Sequence, residues 1–110
     1  MIQDRIAKIE NTLQNAANLP AETKQELLAL LSELKAEVAP LATTHGEDAA
    51  SIARFADASV HEATRSERKP DQTAAALTGL SASVEGFEAS HPRLVQIVDR
   101  IAVTLSNMGI

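Results

Sequence analysis

The segment around His91 carries the residues best suited to acid–base chemistry. Glu85 and Glu88 precede this histidine, and Ser90 and Pro92 flank it. A histidine near carboxylates can act as a general base or bind a metal ion. A structural role fits better, because Ser90 or His91 can cap a helix that has Pro92 in its first turn. Glu88 can then accept hydrogen bonds from N–H groups of that turn. The local sequence favours capping and leaves Glu88 with His91 as the minor candidate polar site.

A second histidine lies among charged residues on a predicted helix face. Asp57, His61 and Arg65 follow one another at intervals of four, so they share one side of a helix. Two ligands one turn apart can hold a metal ion, but a stable site needs more, and no HExxH pattern occurs. The group therefore predicts a solvated polar face. His45 lies in a stretch before Gly46 that predicts a loop.

Several catalytic arrangements are excluded by composition. The chain has no cysteine, so it lacks a thiol nucleophile and thiolate metal ligands. It has no G-x-S-x-G sequence, and its four glycines are far apart, so neither a nucleophile elbow nor a phosphate-binding loop is present. We therefore predict that the protein is not an enzyme and that it uses no cofactor and no metal.

Charge and aromatic content argue against nucleic-acid binding. The 110 residues carry a formal net charge of −5, and there is no Trp or Tyr. The single basic cluster, Arg65, Arg68 and Lys69, is interrupted by Glu67. Such a chain has neither a positively charged surface that would bind phosphates nor aromatic side chains on which bases could stack.

The apolar runs are too short to span a bilayer, and the first residues lack the continuous apolar core of an export signal. We therefore expect a cytoplasmic protein without membrane contact.

The elements that would position these residues are helices. Prolines at positions 20, 40, 70 and 92 divide the chain, and the segments between them carry apolar residues at steps of three and four. No segment alternates in the manner of a strand. The pattern predicts a single all-α domain over residues 1–110, a small bundle of four to five helices with coiled-coil-like packing. The predicted helices span residues 2–17, 20–39, 48–66, 71–89 and 92–108.

Three glycines mark special positions in the predicted helices. Gly79 and Gly86 lie inside the predicted fourth helix, which indicates a close helix contact or a helix of modest stability. Gly109 follows the last helix, where a left-handed cap residue is favoured, and Ile110 could then fold back onto Leu105.

The apolar residues also bear on association. Many are alanines, which bury little area, whereas the second predicted helix has more leucines than one neighbour needs. This surplus predicts self-association, most simply as a homodimer; the alternative is a monomer with a closely packed Leu/Ala core. The candidate interaction face comprises Leu27, Leu28, Leu30, Leu31 and Leu34.

The end of the chain resembles a known family. The run Phe87-Glu88-Ala89-Ser90-His91-Pro92, with the terminus Asn107-Met108-Gly109-Ile110, is similar to the bacterial domain of unknown function 4404. The similarity is strongest over residues 87–110 and weaker over about 19–38, whereas residues 43–70 depart from the family pattern. The resemblance implies a compact helical protein and brings no established activity and no catalytic residues.

Two functional hypotheses follow. The first is a non-enzymatic structural or interaction bundle that docks an unknown partner protein through an apolar helical face. The alternative is a bundle that binds a small molecule or lipid in a pocket between helices, lined by Ala74–Ala76, Gly79 and Gly86.

Overall fold

The secondary structure is helical throughout the part of the chain that is described. A computed structural model describes residues 2–17 and 19–108. Over these ranges it contains no strand and six helices, namely α1 (Ile2–Gln14), α2 (Ala21–Val38), α3 (Leu41–Thr44), α4 (Gly46–Thr64), α5 (Pro70–Ala82) and α6 (Pro92–Met108). The all-α prediction is confirmed.

The predicted number of four to five helices is wrong because of α3. The sequence predicts a loop between residues 40 and 46, but Leu41 is buried there with 1% of its surface exposed. Its carbonyl accepts a hydrogen bond from the His45 N–H at 2.7 Å, which closes one helical turn. Burial of a single leucine thus orders a segment too short to show helical periodicity.

Prolines begin three of the longer helices. Pro20 immediately precedes α2, Pro70 occupies the first turn of α5, and Pro92 is the first residue of α6. Proline has no N–H, so it loses nothing in a first turn, where N–H groups lack helical partners. The start of each of these helices therefore agrees with the prediction to within one residue.

The helix α5 ends seven residues before its predicted end. The Ser83 side chain donates to the Leu80 carbonyl at 2.6 Å, and Gly86 adopts a φ of 95°, which no helix accommodates. From Ser83 to Phe87 the chain forms turns that are tighter than an α-helix. In one of them the Phe87 N–H donates to the Val84 carbonyl at 3.1 Å. Val84 and Phe87 remain buried, because residues three apart in such turns still face the same side. Periodicity alone could not distinguish these turns from a helix.

The five longer helices form a closed ring. In order around it, α1 contacts α2, α2 contacts α6, α6 contacts α5, α5 contacts α4, and α4 contacts α1. The helix α2 therefore has two long neighbours, as its wide leucine stripe predicts. Among the described residues, ion pairs join α1 to α2 (Lys35 and Glu10, 3.0 Å), α2 to α6 (Arg93 and Glu33, 3.1 Å) and α1 to α4 (Arg5 and Asp57, 3.5 Å).

The core lies inside this ring and is almost entirely aliphatic. Its largest fully buried side chains are Ile6, Ile9, Leu13, Leu27, Leu30, Leu31, Leu34, Leu41, Ile52, Leu80, Leu94 and Ile101. The helix α4 contributes small residues, such as Ala49, Ala53 and Ala56, on its inner face. No helix in the described ranges has both the length and the apolar content to cross a bilayer.

Candidate functional site

The structure places His91 in an aromatic cluster. The rings of His91 and Phe87 have centroids 5.4 Å apart, those of His45 and Phe87 are 5.6 Å apart, and the two histidines are 6.4 Å apart. All three pairs are edge-to-face, the geometry that aromatic rings prefer. The cluster joins the start of α4 to the turn before α6. Sequence reasoning treats His45 as part of a loop and does not connect it with His91.

Both histidines are oriented by the residue before them. The Nδ1 atom of His45 lies 2.9 Å from the Thr44 hydroxyl, and that of His91 lies 2.9 Å from the Ser90 hydroxyl. The Ser90 side chain therefore contacts the imidazole, where the sequence suggests that it caps α6.

Glu88 interacts in the direction opposite to the predicted one. Its Oε2 accepts a hydrogen bond at 2.8 Å from the backbone N–H of Gly86, which belongs to the turn behind it. The carboxylate thus stabilises the tight turn that ends the α5 segment. Glu88 has a structural role because it accepts the hydrogen bond from Gly86. His91 has a structural role because its ring packs against Phe87. Among the described residues, no group of three or more His, Asp and Glu side chains could hold a metal ion.

The polar face of α4 makes short-range ion pairs. Asp57 lies 3.5 Å from Arg5 of α1, and Arg65 donates to Glu62 at 2.8 Å. His61 is 68% exposed and lies 4.0 Å from Glu62. His61 and Arg65 thus share Glu62 as a partner, whereas Asp57 pairs with Arg5, and the group forms a charged helix face as the sequence predicts.

The basic cluster is also divided among separate contacts. Arg65 donates to the Gln72 side chain at 3.0 Å. Arg68 donates to the Ala63 carbonyl at 3.0 Å and to the Met108 carbonyl, so its guanidinium joins the ends of α4 and α6. Two of the three cations are thus bound to the chain itself.

The leucine face proposed from the sequence is not available on the surface of the folded chain. Leu27, Leu30, Leu31 and Leu34 are at most 1% exposed, and Leu28 is half-buried at the edge of the core. The reason is the ring architecture, in which α1 and α6 cover the wide stripe of α2 from two sides. The surplus of leucine is absorbed within one chain.

The residues proposed for an internal ligand pocket have different surroundings, and Ala76 among them is buried. The space beside Gly79 is filled by the Phe55 ring, Gly86 lies in a turn, and Ala74 and Ala75 are exposed. The predicted close helix contact at Gly79 is confirmed, since an added Cβ would lie 2.3 Å from the ring. The predicted cap residues Gly109 and Ile110 lie outside the described residues.

The comparison with protein families identifies the chain. The family described as Domain of unknown function (DUF4404) matches residues 27–110. The chain belongs to this family. The match also covers residues 43–70, which the sequence alone sets apart from the family pattern. Comparison with curated proteins and with solved structures found no match.

Within this DUF4404 chain, the outer side of α5 carries no charged residue after Asp71. No charged residue occurs from Thr73 to Val84 or from Ile101 to Met108, although 23% of the whole chain is charged. The two segments belong to neighbouring helices of the ring. We call the exposed residues of α5 from Ala74 onward the neutral face; they are Ala74, Ala75, Thr78, Ser81 and Ala82, and the exposed Asp71 lies one turn before them.

Two large apolar side chains flank the neutral face. Among the described residues, Phe55 is 37% exposed and Val103 is 60% exposed. Phe55 lies on the α4 side, against Gly79. Val103 lies on the α6 side, where it lines a groove of about 440 Å³ together with residues of α5 that include Leu77, Thr78 and Ser81. Sequence reasoning missed this surface because alanine, threonine and serine produce no apolar stripe.

Proposed function

We propose that this member of the DUF4404 family is a non-enzymatic interaction bundle that binds protein through the neutral face of α5. The observation that carries the proposal is the position of Phe55 and Val103, which are exposed on opposite sides of an uncharged helix surface. Single exposed apolar residues are ordinary, whereas a continuous uncharged area with apolar borders is typical of a protein-binding surface.

The energetics support protein as the ligand class. Burial of a fully exposed side chain of this size contributes about 1.5–3 kcal/mol, so covering Val103, which is 60% exposed, contributes about 1–2 kcal/mol. Ala, Thr and Ser on the neutral face have little side-chain entropy to lose, and they carry no charge that would have to be desolvated. The face is open and elongated along a helix, so a second helix suits it better than a small molecule, which would need a concave cavity.

A photo-crosslinking amino acid at position 103 tests the proposal in cells that express the full chain. Position 29 provides the matched control, because Ala29 is also exposed on a helix, and α2 is not a neighbour of α5 in the ring. We expect a discrete protein adduct from position 103 that is absent from position 29. The same adduct should form from position 78 on the neutral face. Equal labelling from positions 103 and 29, or no adduct from position 103, would overturn the proposal.

A further inference from the structure

We propose that the groove between α1 and α4 binds a compact phosphate-bearing anion through Arg5, Lys8 and Arg54. This groove is separate from the neutral face of α5, and its ligand does not depend on the function proposed for that face. Three features of the groove support such a ligand, namely unpaired positive charge, cations on both walls and a concave shape.

Two cations in the groove have no partner within the chain. Elsewhere in the fold Arg65, Arg68 and Arg93 each donate to acceptors of the chain itself. Within the described residues, by contrast, the side chains of Lys8 and Arg54 make no hydrogen bond and no ion pair. They belong to different helices, yet both line the groove between α1 and α4. Positive charge from two elements is therefore available at one place.

Arg5 brings a third positive charge to the groove and is only weakly engaged. Its guanidinium lies 3.5 Å from the Asp57 carboxylate, and the two side chains are 45% and 37% exposed. Exposed ion pairs contribute little to stability, because water and salt screen the charges. Arg5 can therefore turn its guanidinium toward a bound anion while α1 and α4 stay in place.

The carboxylates in the groove do not neutralise these cations. Glu62 accepts a hydrogen bond at 2.8 Å from Arg65, which balances its charge and does not line the groove. Asp57 and Asp4 then remain against the three cations, so the lining has one positive charge in excess. The whole chain has a formal net charge of −5, so this excess is opposite in sign to the rest of the molecule.

The groove is concave and has cations on both of its walls. Two cavities of about 410 and 460 Å³ share all three cations in their lining, and along α1 they extend from Ile2 to Thr12. Arg5 and Lys8 stand on the α1 side, and Arg54 stands on the α4 side. One small anion can thus be contacted from two sides by charge-assisted hydrogen bonds.

The charge of the groove favours phosphate over carboxylate. A carboxylate already lines it, that of Asp57, and Lys8 and Arg54 are nevertheless unpaired. A phosphate monoester carries about −1.5 to −2 charges at pH 7 and three acceptor oxygens, so it can contact two guanidinium groups and an ammonium group together. A compact anion also suits the groove better than a nucleic acid, because a long polyanion would extend over the negatively charged remainder of the surface.

Isothermal titration calorimetry of the full chain with inorganic pyrophosphate tests the site. Citrate is the comparison, since it is a carboxylate anion of comparable charge. We expect one pyrophosphate to bind per chain with a Kd below about 1 mM, and citrate to bind at least about tenfold more weakly. Absence of saturable pyrophosphate binding up to about 10 mM, or tighter binding of citrate, would overturn the phosphate site.

Variants of the two unpaired cations locate the binding. Lys8→Gln and Arg54→Gln should each raise the Kd for pyrophosphate by about tenfold, because each removes a charged donor from one wall. Arg100→Gln is the matched control, since Arg100 is likewise exposed and unpaired among the described residues but lines neither cavity. All three variants change the net charge from −5 to −6, so general attraction of anions falls equally.

Arg100→Gln should therefore bind pyrophosphate like the unmodified chain. Circular dichroism should show that all three variants remain folded, because the three positions are exposed on helices. An equal rise in Kd for all three would mean that net charge and not the groove attracts the anion, which would overturn the site. Unchanged binding by both Lys8→Gln and Arg54→Gln would overturn it as well.

Discussion

A Cβ atom on Gly79 would lie 2.3 Å from Cε1 and 2.5 Å from Cδ1 of Phe55. Real Cβ atoms essentially never approach another heavy atom so closely, so the Phe55 ring occupies the space that only glycine leaves free. This contact fixes how closely α5 packs on α4 and therefore places the neutral face relative to Phe55. The glycine weakens α5 by about 1 kcal/mol relative to alanine, and the packed ring offsets that loss.

Gly79→Ala should lower the free energy of unfolding by about 1 kcal/mol. Displacing the ring costs about 1–3 kcal/mol, and alanine returns about 1 kcal/mol of helix propensity. In a Phe55→Ala background the ring is absent, so the same substitution should raise stability by about 1 kcal/mol. Urea unfolding of the four proteins measures the coupling. Equal effects of Gly79→Ala in both backgrounds would contradict the contact.

Gly86 should resist substitution for a different reason. Its φ is 95°, yet no atom lies within 4 Å of the position that a Cβ would take, so the cost is confined to the backbone. Gly86→Ala should reduce stability by about 1–2 kcal/mol. Gly46→Ala is the control. No atom lies within 4 Å of a Cβ placed on Gly46 either, but Gly46 begins α4 without a positive φ. Thermal unfolding should show a lower Tm for Gly86→Ala only. An equal decrease in Tm for Gly86→Ala and Gly46→Ala would contradict the positive φ of Gly86.

The aromatic cluster predicts ring-current shifts of two histidines. Phe87 is 8% exposed, and its ring faces His45 and His91 with centroids 5.6 and 5.4 Å away. Phe87→Leu should return the imidazole proton resonances of both histidines toward their random-coil positions. His61 is the internal control, since it is 68% exposed. It should not shift, and a general change at all three histidines would indicate unfolding instead of local loss of the ring.

The fold was predictable where long apolar side chains repeat at helical spacing. The leucines of α2 and the branched residues of α6, such as Ile97 and Ile101, indicate the correct buried faces. Pro92 and Gly109 in the sequence also predict the bounds of α6, which runs from Pro92 to Met108. Periodicity shows which side of a helix is buried, but it does not show what covers that side. The leucine surplus of α2 therefore suggests a partner chain, although α1 and α6 bury it within one chain.

The candidate surface could not be predicted for a related reason. In α5 the outward residues are Ala, Thr and Ser, whose hydrophobicity differs little from that of the inward Ala76 and Thr73. Leu77 and Leu80 indicate the inward side of this helix, but small outward residues do not show whether that outward side binds a partner. His45 and His91 likewise meet only because the fold joins segments that are distant in sequence.

Arg68 should be the most sensitive cationic position. Its guanidinium donates to the Ala63 carbonyl at 3.0 Å and to the Met108 carbonyl, at the C-terminal ends of α4 and α6. A cation there satisfies carbonyls without helical partners and complements both helix dipoles. Arg68→Ala should therefore lower the free energy of unfolding by about 2 kcal/mol. Arg68→Lys should lower the free energy of unfolding by a smaller amount, because an ammonium group keeps the charge but cannot reproduce the planar guanidinium.

Lys69→Ala is the matched control for charge in this prediction. Lys69 is exposed and adjacent, so its removal changes net charge equally and should alter stability by less than about 0.5 kcal/mol. Guanidinium denaturation would screen the charges, so urea unfolding at low salt is the appropriate measurement. Equal losses for Arg68→Ala and Lys69→Ala would mean that overall charge, and not the link between α4 and α6, stabilises this end of the bundle.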